Sequence, residues 1–289
     1  MPGLTMCCPP GCVFADVLTP HECTAGVDGI WEWLEGLGSG IRRQDPSTWN
    51  NARWPEVRDG GGSGLLAKGG AVHTKAVWDV RAHPRVVKSF REVLGEEDLI
   101  ASLDVIGLFR PWGLAPPGEN WRTRGGWWHA DQSAEPQDRG DELGHGGLER
   151  EYIQGYVALV GTSPESGGYC VVPRSHHRFE ELAPIPTDDP SNRGTLRDRA
   201  NRPGTERAEL IAKEGIVPHV PAGGLLMWDS RVLHCNAPGV PSTGADAGRA
   251  AQPVRVELPR HARRLPLVVR ERGPGPLRAA GPACVQINQ

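Results

Sequence analysis

Gly223-Gly224-Leu225-Leu226-Met227-Trp228-Asp229-Ser230-Arg231-Val232-Leu233-His234-Cys235-Asn236-Ala237-Pro238 begins with a short apolar run and places a histidine just beyond it. Residues 224–228 have the length and character of a buried strand bounded by turn-forming residues. Residues 99–109 (closed by Pro111), 152–160 and 169–172 read the same way. Before them, Pro84 can sit in a first helical turn, and Val86, Val87, Phe90, Val93 and Leu94 recur at helical spacing until Gly95. Short strands separated by Gly and Pro turns, preceded by one clear helix, predict a mainly β fold with helical support, an antiparallel sandwich or barrel.

The rest of the chain is read around that block. Its 289 residues suit two domains or one large all-β domain, and 38% hydrophobic with 23% charged residues suits a soluble globular protein. Gly 38 and Pro 27 favour a loop-rich β fold over a helical bundle. Residues 1–75 read as an irregular N-terminal region, with Trp31, Trp33, Trp49 and Trp54 among glycines and prolines. The tract Gly60-Gly61-Gly62-Ser63-Gly64 is a linker, because no Gly-Lys-Ser/Thr follows to make a phosphate loop. Residues 76–260 read as the main folded domain, where any catalytic jelly roll would lie, with a polar excursion over 184–215 that turns helical near 206–214. Residues 261–289, rich in Arg, Pro and Gly, read as a poorly ordered tail.

A net charge of -3 gives no support to nucleic acid or an anionic membrane as partner. No apolar run is long enough for a membrane span, and residues 1–12 lack the pattern of a secretory leader. Cys7, Cys8, Cys12 and Cys23 cluster, but their spacing is not that of a standard zinc finger. Seven cysteines in a chain this long fit a reducing, intracellular compartment, with the cytoplasm as the expectation. The sequence leaves the oligomeric state open.

Two segments carry chemistry. In Trp127-Trp128-His129-Ala130-Asp131-Gln132 a histidine and an aspartate stand two apart. On an extended chain residues i and i+2 share a face, so imidazole and carboxylate can reach one ion. His234 lies 105 residues further on. Two histidines and a carboxylate make the facial triad of non-haem Fe(II) oxygenases, which leaves positions open for co-substrate and oxygen. Distant strands that are spatial neighbours, as in a jelly roll, would bring such a triad together. A capping pair at residues 129 and 131 plus an unrelated His234 is the plain alternative.

The chain resembles the phytanoyl-CoA dioxygenase family of Fe(II)- and 2-oxoglutarate-dependent oxygenases. The resemblance rests on four segments in family order: residues 128–132, residues 153–159, Gly167-Gly168-Tyr169-Cys170-Val171-Val172-Pro173-Arg174-Ser175-His176, and residues 223–234. It implies a double-stranded β-helix, a cupin-like jelly-roll barrel, with His129, Asp131 and His234 as iron ligands. Relatives that halogenate replace the carboxylate, so Asp131 implies hydroxylation of a small organic or acyl substrate, with release of succinate and CO2 and with O2 consumed. Tyr156 falls where the family sets an aromatic beside the co-substrate. Asn236 falls near the co-substrate carboxylate, and Gln132 flanks the metal motif. The family commonly has glycine where Arg174 stands, and His176 reads as a turn residue.

The family also anchors 2-oxoglutarate with an arginine on a strand after the distal histidine, because a planar guanidinium pairs with a carboxylate through two bonds. Arg249 is the first choice for that anchor here, and Arg255, in the alternating Val254-Arg255-Val256-Glu257-Leu258, the second. Pro253 removes a ladder donor between them. From Gly239 onward the chain departs from the family pattern. Two other classes stay open: a metal-binding pseudoenzyme of the same fold that no longer binds 2-oxoglutarate, and a zinc hydrolase on a cupin-like barrel. Trp112, Trp121, Trp127 and Trp128 read as an apolar, aromatic pocket wall or equally as a well-packed rim, and Arg122, Arg124 and Arg139 as a basic mouth for an acyl-CoA or as solvated loop residues.

Overall fold

The computed structural model describes residues 4–8, 11–55, 62–66, 70–95, 97–99, 105–131, 153–182 and 203–239. In chain order the elements are β1 (Leu4–Cys8), β2 (Gly11–Phe14), α1 (Pro20–Gly36), β3 (Leu65–Leu66), α2 (Lys75–Arg81), α3 (Pro84–Leu94) and β4 (Ile106–Gly107). They continue as β5 (Ile153–Val157), β6 (Gly167–Val171), α4 (Phe179–Leu182), α5 (Glu206–Glu214), β7 (Leu225–Asp229) and β8 (His234–Pro238). Strands β1, β2, β7 and β5 form one antiparallel sheet in that order; β6 pairs with β8 and β3 with β4.

Side-chain alternation splits the four-stranded sheet into two environments. On β5 and β7, Val157, Leu225 and Met227 face a core shared with Leu18, Ile30, Leu34, Val77, Val80 and Phe90 from the helical region. One residue along, Tyr156, Leu226 and Trp228 turn the other way and pack with Tyr169 and Val171 of β6 and with Val232. The β6–β8 pair therefore lies over the inner face of the larger sheet, and the helices cover its outer face. On β6 and β8 the outward residues include Cys170 and Cys235, register partners whose Sγ atoms are 3.2 Å apart.

The structure corrects the expectation that residues 1–75 are irregular. The strand β2 adds directly to β7, with Phe14 opposite Leu225, and α1 runs for 17 residues. Thr19 caps α1: its hydroxyl accepts from the Glu22 amide, and the Glu22 carboxylate accepts from the Thr19 amide at 2.7 Å. Two glycines let this helix approach its neighbours, since a Cβ on Gly26 would lie 2.7 Å from Leu159 and one on Gly29 2.7 Å from Ala76. The tryptophans of this region are packing residues: Trp31 and Trp49 meet at 5.2 Å, and Trp54 lies against the guanidinium of Arg110 at 5.2 Å.

The helix over residues 84–94 and the strands at 153–157, 167–171 and 225–229 match the periodicity. The polar excursion ends in α5, as expected. Of the strand expected over 99–109 the pairing covers Ile106–Gly107, and residues 100–104 lie outside the described part. Residues 240–289, with the expected tail at 261–289, also lie outside it. Among the described residues no helix is long and apolar enough to cross a membrane.

Candidate metal centre

Strand β8 is the scaffold of the site. Its first residue, His234, pairs with Val171 of β6 on one side. On the other side it exchanges backbone hydrogen bonds with His129, 3.0 and 2.8 Å, and the Asp131 amide donates to the Ser230 carbonyl at 2.9 Å. The segment around His129 thus runs antiparallel to β8 as a short extra strand. That pairing brings side chains 105 positions apart onto one face, with ring centroids 4.3 Å apart. Asp131, two residues on, reaches both: its Oδ1 is 3.1 Å from His129 Nε2 and its Oδ2 3.3 Å from His234 Nε2. Among the described residues these three form the cluster able to hold a metal ion, every ligand atom lying within 4.8 Å of the others.

The tautomers follow from the backbone. His129 Nδ1 lies 3.2 Å from the Trp127 carbonyl and His234 Nδ1 3.0 Å from the Val232 carbonyl. A carbonyl only accepts, so each Nδ1 carries the proton, and a neutral ring then turns a bare Nε2 lone pair toward Asp131. Three acceptors facing one another are stable only around a cation, whether protons or a metal. Burial raises the Asp131 pKa, but the two imidazoles, through the charge and Nε2–H bonds of their protonated form, outweigh it and hold the carboxyl well below the usual range. The site is therefore a dry, anionic-plus-imidazole donor set that fits a divalent metal of the Fe(II) or Zn(II) kind. Asp229, the other nearby carboxylate, is occupied by Arg231, whose Nε donates at 2.9 Å.

Aromatic rings enclose the cluster. Trp127 stacks on His129 at 5.0 Å, Tyr169 on His234 at 5.5 Å, and Trp228 lies 5.7 Å from His234. Tyr156 abuts Tyr169 and Trp228 at 6.0 and 6.2 Å, and its hydroxyl pairs with Thr162 at 3.1 Å. Asn236 is buried on the same face of β8 as His234, and its amide donates to the Ser63 carbonyl at 3.2 Å. Tyr169 Oη and Trp228 Nε1 are buried and have no hydrogen-bond partner among the described residues. Burial pushes the Tyr169 phenol far above its ordinary pKa, so it stays a neutral donor. Unsatisfied buried donors beside a metal-competent cluster suit a ligand rich in acceptors, such as a carboxylate.

The structure rearranges part of the expected pocket. Trp121 and Trp112 belong to the main core, Trp121 meeting Arg110 at 5.1 Å, and Trp128 packs with Val172, Leu182 and Leu233. Trp127 alone of that quartet stacks on a triad histidine. Arg122 lies over Trp112, 5.6 Å from its ring. His176 sits in a helical turn apart from the triad, and Arg174 before it adopts a left-handed φ of 64°, which accounts for glycine being common there in the family. Gln132, Arg139, Arg249 and Arg255 lie outside the described residues.

Three contributors escaped the sequence reading. Gln154 donates through Nε2 to Asp131 Oδ2, and Tyr169 supplies a wall. The guanidinium of Arg207, from α5, holds the Trp128 carbonyl at 2.7 Å and the Leu182 carbonyl at 2.8 Å, fixing the segment that carries His129. A polar residue inside the apolar run at 153–159 was the available signal for Gln154; Arg207 offered none.

Known proteins were compared with this chain. The profile of the phytanoyl-CoA dioxygenase family matches residues 12–238. "Ava biosynthesis cluster protein O" of Aspergillus versicolor is 24% identical over 237 residues, 79% of this chain and 70% of that protein. A "putative phytanoyl-CoA dioxygenase" of Dictyostelium discoideum is 25% identical over 199 residues, 58% of this chain and 53% of its own length. Among solved structures, SnoK, described as a non-heme alpha ketoglutarate dependent carbocyclase from nogalamycin biosynthesis, superimposes with a TM-score of 0.52 at 16% identity. That match covers 88% of this chain and 80% of SnoK, and it is a likeness of fold.

Proposed function

This chain belongs to the phytanoyl-CoA dioxygenase family, and on that premise we propose that it is a non-haem Fe(II)- and 2-oxoglutarate-dependent dioxygenase that hydroxylates a small organic or acyl substrate. The observation that carries this reading is the meeting of His129, Asp131 and His234 on one dry face with both Nε2 lone pairs turned inward. The two antiparallel layers are the walls of a jelly-roll barrel, with the triad between them.

Iron and 2-oxoglutarate, when bound, would supply with O2 the oxidising power for hydroxylation, with succinate and CO2 as co-products. The chain's part is to bind, orient and keep dry. His129 and His234 would hold the metal through Nε2, while the carbonyls of Trp127 and Val232 keep their Nδ1 protons in place. Asp131 brings the one negative charge that offsets a divalent ion and leaves open positions for co-substrate and oxygen. Tyr169 and Trp228 offer their donors to the co-substrate, and the rings of Tyr156, Tyr169, Trp127 and Trp228 exclude water. Asn236, close behind His234, packs the co-substrate end of the site. Arg249, with Arg255 as the second choice, would hold the distal carboxylate of 2-oxoglutarate.

The test is succinate formation by purified protein supplied with Fe(II), 2-oxoglutarate and O2. Turnover that needs all three, rises with a true substrate and disappears in His129→Ala supports the reading. Hydrolysis without O2 would replace it with a zinc hydrolase. Metal binding without any affinity for 2-oxoglutarate would replace it with the pseudoenzyme.

A further inference from the structure

Asp131 has two oxygens, and the chain treats them differently. Oδ1 faces His129 Nε2 at 3.1 Å, whereas Oδ2, 3.3 Å from His234 Nε2, also accepts from the side-chain amide of Gln154. Gln154 is 2% exposed. It sits on β5, opposite Trp228 of β7, and it shares the inner face of β5 with Tyr156, two residues on. The four-stranded sheet therefore aims this amide at the carboxylate from the layer opposite β8, while both histidines reach it from the β8 side.

We propose that Gln154 is a positioning residue that makes Asp131 a one-oxygen ligand and so keeps a coordination position open; the proposal rests on the iron-site reading above. A free carboxylate can close on a divalent ion with both oxygens, as carboxylates do in calcium sites. An amide N–H on Oδ2 opposes that in two ways. It draws electron density from Oδ2, and it fixes the rotation of the carboxylate plane so that Oδ1 alone turns to the ion. Partners of this kind typically change metal affinity about 10- to 100-fold when removed. The position left open is the one the reaction needs, because co-substrate and oxygen must both reach the metal. Glutamine serves here better than lysine or arginine would, since it donates without adding a charge that would repel the ion.

The experiment loads full-length wild type, Gln154→Leu and Gln154→Met with Mn(II), and measures affinity by electron paramagnetic resonance and bound water by solvent proton relaxation. Leucine and methionine fill the volume without donating, and methionine adapts to the site should leucine disturb folding. The expected result is weaker water relaxation per bound Mn(II), as Oδ2 takes a place that water held, together with a Kd moved about 10- to 100-fold from the wild-type value. Met227→Ala, on the outer face of the neighbouring strand, lowers the melting temperature without moving either reading. Wild type that holds Mn(II), with both Gln154 variants matching it in affinity and relaxation, overturns the role of Gln154 alone. Wild type that holds no Mn(II) overturns the metal-site reading and this inference with it.

Discussion

On β7, Leu225 and Met227 point into the helical layer, while Leu226 and Trp228 point toward the histidine–carboxylate cluster. The same split runs along β5, where Val157 meets the helices and Gln154 and Tyr156 meet the site. Among the described residues, the outer face of these two strands contributes Val157, Leu225 and Met227 to an apolar core. The inner face contains an amide, phenols and an indole, two of whose donors have no partner among the described residues. Apolar burial supplies stability at roughly 25 cal/mol per Å², whereas unsatisfied donors cost stability and call for a partner, which a bound ligand can supply. One strand can therefore hold the fold together and serve chemistry, through alternate residues.

That contrast makes separable predictions. The largest effect is on the inner face: His129→Ala is expected to reduce 2-oxoglutarate-dependent succinate release to background while the metal-free protein melts within a few degrees of wild type. A melting temperature that collapsed alongside activity would blur the division. On the outer face, Leu225→Ala should cost about 2–5 kcal/mol, seen as a melting temperature lower by roughly 10 °C for a chain of this size. Metal affinity of the folded fraction should not change. Arg207 is the case that crosses the division, because it supports the carbonyl next to His129 from an outlying helix. Arg207→Met should lose about 1–3 kcal/mol and also weaken Mn(II) binding; a loss of stability with intact metal affinity would make it a packing residue only.

The smallest effects lie far from the site, at the cap of α1. Thr19→Ala should cost about 1 kcal/mol in a urea titration. Glu22 is lowered from 4.5 to about 2, mainly by the hydrogen bond from the Thr19 amide, with burial opposing and the Thr19 hydroxyl and His83 assisting. A carboxyl depressed in the folded state contributes stability above its unfolded pKa and loses it as pH falls toward the folded value. Acid destabilisation between about pH 4.5 and 2 should therefore be shallower in Glu22→Gln, with a modest size because the carboxylate is partly exposed.

Much of this was legible in the sequence, and what was not has physical causes. Strands such as Leu225–Asp229 are continuous apolar runs because both faces are covered, and their composition exposes them. His129, Asp131 and His234 were identifiable because two-residue spacing on an extended chain and a family resemblance pointed to the same residues. The helix α1 was missed although Thr19-Pro20-His21-Glu22 is a start signal, since its glycines read as loop and their use, close approach to Leu159 and Ala76, exists only in three dimensions. Arg207 and the core placement of Trp121 were invisible for the same reason: their partners are 25 to 79 positions away or lie across layers. Arg249, Arg255 and Gln132 fall outside the described residues.

The central claim is that one face of this fold holds Fe(II) and 2-oxoglutarate together. An anaerobic titration of the metal-free protein with Fe(II) and then 2-oxoglutarate, followed in the visible, tests it most directly. The account predicts a metal-to-ligand charge-transfer band that needs both additions and is absent in His129→Ala. Iron that binds without the band, at saturating 2-oxoglutarate, would contradict it.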